Sequence, residues 1–233
     1  MSKIFIITGT RKGIGKQLAE HYLSLGHFVA GCSRGKQSIE HSKYTHFILD
    51  VADEKMVMSM VRTVKKQYGH IDVLLNNAGI AAMNHMLTTP YQSAQKVFDT
   101  NFFGTFLFSR EVSKVMMKQK SGRIVNYTTV AVALNLAGEA VYAASKAAIE
   151  SFTRVSAKEL GEFGIRVNAI GPTPVPTDLI RNIPKEKLED LLDQQAIHRF
   201  GEFEDILNVI DFFIDKRSEF ITGQVIYLGG VML

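Results

Sequence analysis

"TGTRKGIG", residues 8–15, is the stretch on which the reading of the fold turns. It follows the apolar run "IFIIT" at 4–8 and opens a helical pattern over 14–25. A glycine-rich turn between a first strand and a first helix is the context a dinucleotide fingerprint requires. Gly9 permits a tight turn, while Gly13 and Gly15 let backbone approach a pyrophosphate and let the helix pack close to the sheet. The helix N-terminus then offers free N–H groups and a positive dipole end to phosphates. The spacing is G-x-x-x-G-x-G rather than G-x-G-x-x-G, so position carries this reading more than pattern.

Outward from that turn, apolar β-rich runs alternate with longer helical patterns. The runs fall at 28–32, 46–51, 72–77, 122–129, 165–170 and 224–230. Helical patterns fill 53–68, 91–118, 141–161, 185–195 and 203–214. Strands apolar on both faces belong to a parallel sheet covered by helices. The alternation therefore predicts an α/β chain, one doubly wound domain over residues 1–233. Between Arg34 and Tyr44 the polar "GKQSIEHSKY" leaves too little room for a full crossover helix, and a loop or short turn is expected.

Bulk properties narrow the function. The chain has 233 residues, 46% hydrophobic and 21% charged, as in an ordinary globular protein. A net charge of +4 without dense Lys/Arg runs argues against nucleic acid or membrane as partner. The single cysteine, Cys32, fits a reducing, cytoplasmic setting. Seven histidines form no ligand-spaced cluster, so no catalytic metal is expected. No apolar run reaches membrane-spanning length, and the N-terminal apolar run reads as a strand rather than a secretion signal. "NYT" at 126–128 matches a glycosylation sequon but falls inside an expected strand, and reads as coincidence.

In "VYAASKAA" at 141–148, Tyr142 and Lys146 stand four apart and share one helical face. Taken alone, the pair also fits a surface tyrosine beside a surface lysine. Together with "TGxxxGIG", "NNAG" at 76–79 and Asn101 in "NFFG", it resembles the short-chain dehydrogenase/reductase family in order and spacing, from Lys3 to about Gly230. The resemblance implies a Rossmann-type sheet of about seven strands in the order 3-2-1-4-5-6-7, with helices on both faces. It also implies a nicotinamide dinucleotide.

Which dinucleotide is read at two places. Members preferring NAD place an acid at the end of the second strand; here Ser33 stands there and Arg34 follows. A guanidinium matches the charge and geometry of a 2′-phosphate, and Lys12 can reach the same group. The expectation is NADP(H). The resemblance adds cofactor contacts at Gly9, Arg11, Gly13, Ile14, Gly15, Asp50, Val51, Asn77, Ala78, Gly79, Pro172, Val175 and Thr177, besides Tyr142 and Lys146. Asp50 and Val51 would hold the adenine, and Val175 and Thr177 the carboxamide. "NNAG" reads equally as a brace for the fourth strand.

For the chemistry, carbonyl reduction needs a hydride on carbon and a proton on oxygen. Tyr142 is the candidate acid, and a neighbouring ammonium, Lys146, should lower its pKa. The alanines around the pair would let this helix lie close to the sheet. The usual serine is replaced by Thr129, whose hydroxyl still donates; Thr128 is the fallback, with its side chain expected on the opposite face. Asn101 resembles the asparagine that organises a water beside the lysine, and reads equally as a kink in its helix.

The segment 178–200 resembles a substrate lid, its "KEKLEDLLDQQ" charged on one face and leucine-bearing on the other. Ala81, Met83, Leu136, Pro174 and Val175 are expected to line a rather apolar pocket, with Thr173 in place of the usual glycine. The pattern comes nearest to 3-oxoacyl-carrier-protein reductases, so the substrate is a small carbonyl compound, free or carrier-protein bound. Lys120 and Arg123 are the candidates for carrier docking. Phe163, where such reductases carry a basic residue, keeps a specialised ketone or ketosugar reductase open, as Thr129 keeps open a non-catalytic NADP(H)-binding scaffold. A homo-oligomer, tetramer or dimer, is expected through 91–118 and 141–161, with Phe102, Phe103, Phe106 and Phe108 as apolar surface or core.

Overall fold

The computed structural model describes residues 2–176 and 185–231. Seven strands run β1 Ile4–Thr8, β2 Phe28–Ser33, β3 Tyr44–Ile48, β4 Val73–Asn76, β5 Gly122–Tyr127, β6 Ile165–Gly171 and β7 Val225–Tyr227. They form one sheet in the order β3-β2-β1-β4-β5-β6-β7, and every pair is parallel. The strand order is the expected one.

Alternation along the strands divides the core. Ile4 and Ile6 of β1, with Leu74 and Ile124, face α2 (Glu54–Tyr68) and α4 (Gly104–Gln119), whose Val57, Met60, Phe108 and Val112 are buried there. Phe5 and Ile7, with Leu75 and Val125, face α1 (Gly13–Ser24) and α8 (Phe203–Ile214), meeting Leu18, Tyr22 and Phe213. Both faces of each central strand are thus covered, which explains why their sequences lack polar alternation. The fold reverses direction between β1 and β4, and the carboxyl ends of these strands open the crevice where α/β sheets bind ligands.

Several local readings change. The expected strand at 46–51 is β3 at 44–48, paired Val29↔Tyr44 through Ser33↔Ile48. Leu49 and Val51 are buried against the α2/α4 layer after the strand has ended. The 34–43 segment is a loop, as expected. The single helix expected at 91–118 is α3 (Tyr91–Phe98), a π-helical turn (Asp99–Phe103) and α4. Residues 128–129 leave β5, and a short helix α5 (Val130–Leu134) follows before α6 (Ala140–Leu160). Lys185–Asp193 forms α7; the rest of the expected lid from 178 to 184, and Thr177, lie outside the described residues. Among the described residues no helix is long and apolar enough to cross a membrane.

Candidate active site

The glycine-rich turn has the shape its sequence demands. Gly9 takes φ +77°, a left-handed conformation that side chains disfavour. A methyl on Gly15 would overlap Asn77 Nδ2 and the Gly9 carbonyl, so α1 can lie this close to β4 only with glycine there. α1 begins without a side-chain cap. Its first N–H groups are the donors such a turn presents to an anion. A pyrophosphate therefore fits this cradle. Asn77 donates to the Thr8 carbonyl (2.9 Å), and Ala78 N donates to Thr8 Oγ1 (2.9 Å), binding the turn to the end of β4. Asn76 is the brace: its Nδ2 donates to Ser109 Oγ (2.9 Å) and Asn126 Oδ1 (2.8 Å), all buried.

Beyond this cradle, at the carboxyl ends of β4, β5 and β6, lies a cavity of about 150 Å³. It is lined by Ile14, Asn77, Gly79, Thr129, Tyr142, Lys146, Pro172 and Val175, so residues assigned separately from sequence meet in one place. Ala81, Leu136 and Pro174 also line it, whereas Met83 lies outside the lining.

Thr129 ends the β5 excursion with extended backbone (φ −163°) and caps α5, its Oγ1 accepting from Ala131 N at 3.3 Å. Its hydroxyl lines the same cavity as Tyr142. Thr128 points away, donating to Glu150 Oε1 at 2.7 Å, and is not the alternative hydroxyl. The phenol does not titrate as expected from sequence. Burial pushes Tyr142 up to about 12, the Glu139 carboxylate pushes the same way, and Thr129 pulls it down. Lys146 Nζ is instead committed to the Tyr127 carbonyl (2.8 Å), and burial lowers this amine to about 8. Desolvation, which disfavours the charged form of each group, outweighs the expected phenol–ammonium attraction.

Asn101 sits in the π-helical turn, fully buried. Its Oδ1 accepts from Ile80 N (2.9 Å), and its Nδ2 donates to Ile80 O (3.0 Å) and Ser145 Oγ (3.0 Å). The second sequence reading of Asn101 is the one seen: it lies in the irregular turn of its helix, and its amide ties the loop after β4 to α6. A point beside the Gly79 α-carbon is 3.3 Å from Asn101 Oδ1 and 3.5 Å from Lys146 Nζ. Ser145, three residues from Tyr142 and one from Lys146, holds this amide on the helix of the pair.

Glu139 was not foreseen. The cavity is rather apolar with few charges, as expected, and this carboxylate is one of them, only 8% exposed. Its signal in sequence was an acid three residues before Tyr142, the spacing that puts it one turn away at the start of α6.

At the other end, Arg11, Lys12 and Arg34 are exposed around the mouth of the turn. Ser33 Oγ donates to the Gly35 carbonyl at 2.9 Å. Asp50 and Val51 follow β3, the carboxylate of Asp50 accepting from Ala52 N at 3.0 Å and Val51 packing under Gly104. Pro172 accepts from Val130 N at 3.3 Å, joining the β5 and β6 ends.

Lys120 and Arg123 are not at the cavity mouth. They flank the amino end of β5, whereas the cavity opens at its carboxyl end, and Arg123 is buried with Glu219 at 2.7 Å. Phe163 lies at the amino end of β6, on that same side. Phe108 is core, while Phe102, Phe106 and Phe152 stack edge to face and Phe103 is exposed. Among the described residues no three His, Cys, Asp or Glu gather into a metal-binding group.

A phosphate cradle at the switch point, running into a cavity that holds a hydroxyl, a phenol and an amine, is the layout of dinucleotide-dependent α/β oxidoreductases. A family model described as enoyl-(acyl carrier protein) reductase matches residues 9–231. The 3-oxoacyl-[acyl-carrier-protein] reductase FabG of Staphylococcus epidermidis is 33% identical, over 100% of this chain and 99% of the relative. The one from Staphylococcus aureus is 34% identical, over 100% and 98%. Among solved structures, ElxO with NADP bound superposes with a TM-score of 0.89 at 29% identity, covering 99% of this chain and 98% of the other. Ligand-free aldohexose dehydrogenase of Thermoplasma acidophilum gives 0.88 at 26%, covering 99% and 94%, and NAD+-bound xylitol dehydrogenase gives 0.88 at 27%, covering 98% of each. The chain belongs to the short-chain dehydrogenase/reductase family of oxidoreductases.

Proposed function

We propose that this protein is an NADP(H)-dependent carbonyl reductase acting on 3-oxoacyl-thioester-like substrates. The observation that carries the reading is the single cavity, running on from the glycine-rich cradle, that is lined by Thr129, Tyr142 and Lys146 together. NADPH, when bound, supplies the hydride. Gly9, Gly13 and Gly15 would hold its pyrophosphate, Ser33, Arg34 and Lys12 its 2′-phosphate, and Val175 the nicotinamide face of the cavity. The relatives act as reductases by name, and ElxO carries NADP, which supports that choice; xylitol dehydrogenase carries NAD+.

Tyr142 gives its proton to the carbonyl oxygen. At about 12 its pKa keeps it protonated through neutral pH, as a proton donor must be. Thr129 holds that oxygen and the phenol in one hydrogen-bonded set. Lys146 is mostly charged at neutral pH with its pKa near 8, and its field favours the phenolate left behind. The Tyr127 carbonyl keeps Lys146 in place.

A second reading is supported by Glu139. A buried carboxylate in the cavity suits a substrate with hydroxyl donors, because a hydroxyl can pair with it and an alkyl chain cannot. A hydroxylated ketone or ketosugar then replaces the 3-oxoacyl chain, with the same chemistry. The test is NADPH oxidation by the purified protein against β-ketoesters, diketones and ketosugars. Turnover with β-ketoesters supports the first reading and turnover with ketosugars the second. Tight NADPH binding without turnover on any carbonyl refutes both.

A further inference from the structure

A line of hydrogen bonds connects the glycine-rich turn to the loop after β2. Thr10 Oγ1 lies 2.8 Å from the Tyr44 hydroxyl, which lies 2.7 Å from His46 Nδ1. His46 Nε2 is 2.9 Å from the Gly35 carbonyl and 3.2 Å from Ser33 Oγ. A carbonyl oxygen only accepts, so Nε2 carries the hydrogen. In the neutral ring Nδ1 then accepts from Tyr44, and the Tyr44 oxygen accepts from Thr10.

The backbone leaves room for this line. A methyl on Gly31 of β2 would overlap both Thr10 Oγ1 and the Tyr44 hydroxyl. A second tie runs alongside. Ser38 Oγ donates to the Arg11 carbonyl at 2.6 Å, and the Arg11 guanidinium rests on Gly35, where a methyl would displace it. The turn carrying Arg11 and Lys12 and the loop carrying Ser33 and Arg34 are therefore set against each other by side chains of β3.

We infer that His46, through Tyr44 and the Gly35 carbonyl, is a positioning residue for selection of the 2′-phosphorylated coenzyme. This rests on the NADP(H) reading above. Charge-assisted hydrogen bonds to a phosphate depend steeply on distance and angle, so the cations work only if their two loops keep a fixed spacing. A coenzyme without the 2′-phosphate has no group for these cations to hold and is indifferent to that spacing.

The test is calorimetric binding of NADPH and NADH to wild type, His46→Phe, Tyr44→Phe and His46→Gln, with thermal melts alongside. His46→Phe keeps a ring and removes the contacts to the Tyr44 hydroxyl, the Gly35 carbonyl and Ser33 Oγ. It is expected to weaken NADPH about tenfold, the scale of one charge-assisted hydrogen bond, and NADH less than twofold. Tyr44→Phe should lose the same selectivity to a smaller degree. His46→Gln keeps an N–H donor for the Gly35 carbonyl and should recover most of the NADPH affinity. Equal weakening of both coenzymes, or unchanged NADPH binding, overturns the inference. A wild type without preference for NADPH refutes the coenzyme reading itself, and does so before any substitution is compared. If His46→Phe fails to fold, Tyr44→Phe against His46→Gln gives the same decision.

Discussion

The two ends of the coenzyme crevice are built differently. Around the cavity the polar groups are buried or half-buried and held by protein partners: Asn101 makes three hydrogen bonds, Lys146 is 5% exposed on the Tyr127 carbonyl, and Thr129 accepts from Ala131 N. At the mouth of the glycine-rich turn the cations Arg11, Lys12 and Arg34 are exposed, and their loops are joined through the Thr10–Tyr44–His46 line. Low dielectric at the first end makes each charge expensive and each shift large. Solvent at the second screens charge, so affinity there comes from geometry held at a distance. Substitutions at the first end should act on the chemical step, and those at the second on the choice of coenzyme.

After Tyr142 itself, the largest predicted effect falls at the buried end. Lys146→Met should lower kcat about 10²-fold by removing the charge that favours the phenolate. In the wild type the same charge is present below about pH 8 and is lost as pH rises through that value. The kcat/KM for NADPH, which reports the free enzyme, should therefore fall by about tenfold per pH unit above that point. A flat profile to pH 10 would break the comparison, since Lys146 would then behave as a solvated amine.

At the exposed end, Arg34→Ala should raise the KM for NADPH about ten- to a hundredfold, from the loss of one charged hydrogen bond, and leave that for NADH within about twofold. Equal changes for both would mean that Arg34 does not face a 2′-phosphate. Smaller again, Thr129→Val should lower kcat about five- to tenfold through one neutral hydrogen bond, while Thr129→Ser keeps the hydroxyl and stays within about threefold. The smallest effect is expected from Glu139→Gln. Removing a carboxylate that raises Tyr142 should move the basic limb of alcohol oxidation, which needs the phenolate, to lower pH without changing NADPH affinity. A basic limb that stays put would separate Glu139 from the phenol.

The sequence disclosed the cavity end more fully than the coenzyme mouth, for physical reasons. Tyr142 and Lys146 lie on one helix with a strong period, so their shared face could be read, whereas Thr128 and Thr129 stand just past the end of β5, and Thr128 turns to Glu150. The strand order was legible because both-face burial leaves continuous apolar runs such as "IFIIT". The π-helical turn was not, since a wider turn within 91–118 leaves the apolar spacing nearly unchanged. The β3 boundary slipped because Leu49 and Val51 are apolar for packing on α2 and α4 rather than for pairing. "VAVAL" at 130–134 has the β-branched composition of a strand but is capped by Thr129 into a helix. The pKa direction at Tyr142 was missed because spacing along a helix says nothing about burial. His46 and Glu139 act through groups far apart in sequence or within the cavity, which periodicity does not register.

The central claim is that Tyr142 is the proton donor beside the coenzyme cradle. Its most direct measurement pairs kcat for NADPH-driven reduction with the NADPH dissociation constant in Tyr142→Phe. The predicted result is a fall in kcat of about 10²- to 10⁴-fold, the range of general acid catalysis, with the dissociation constant within twofold of wild type. A variant that turns over at the wild-type rate would contradict it.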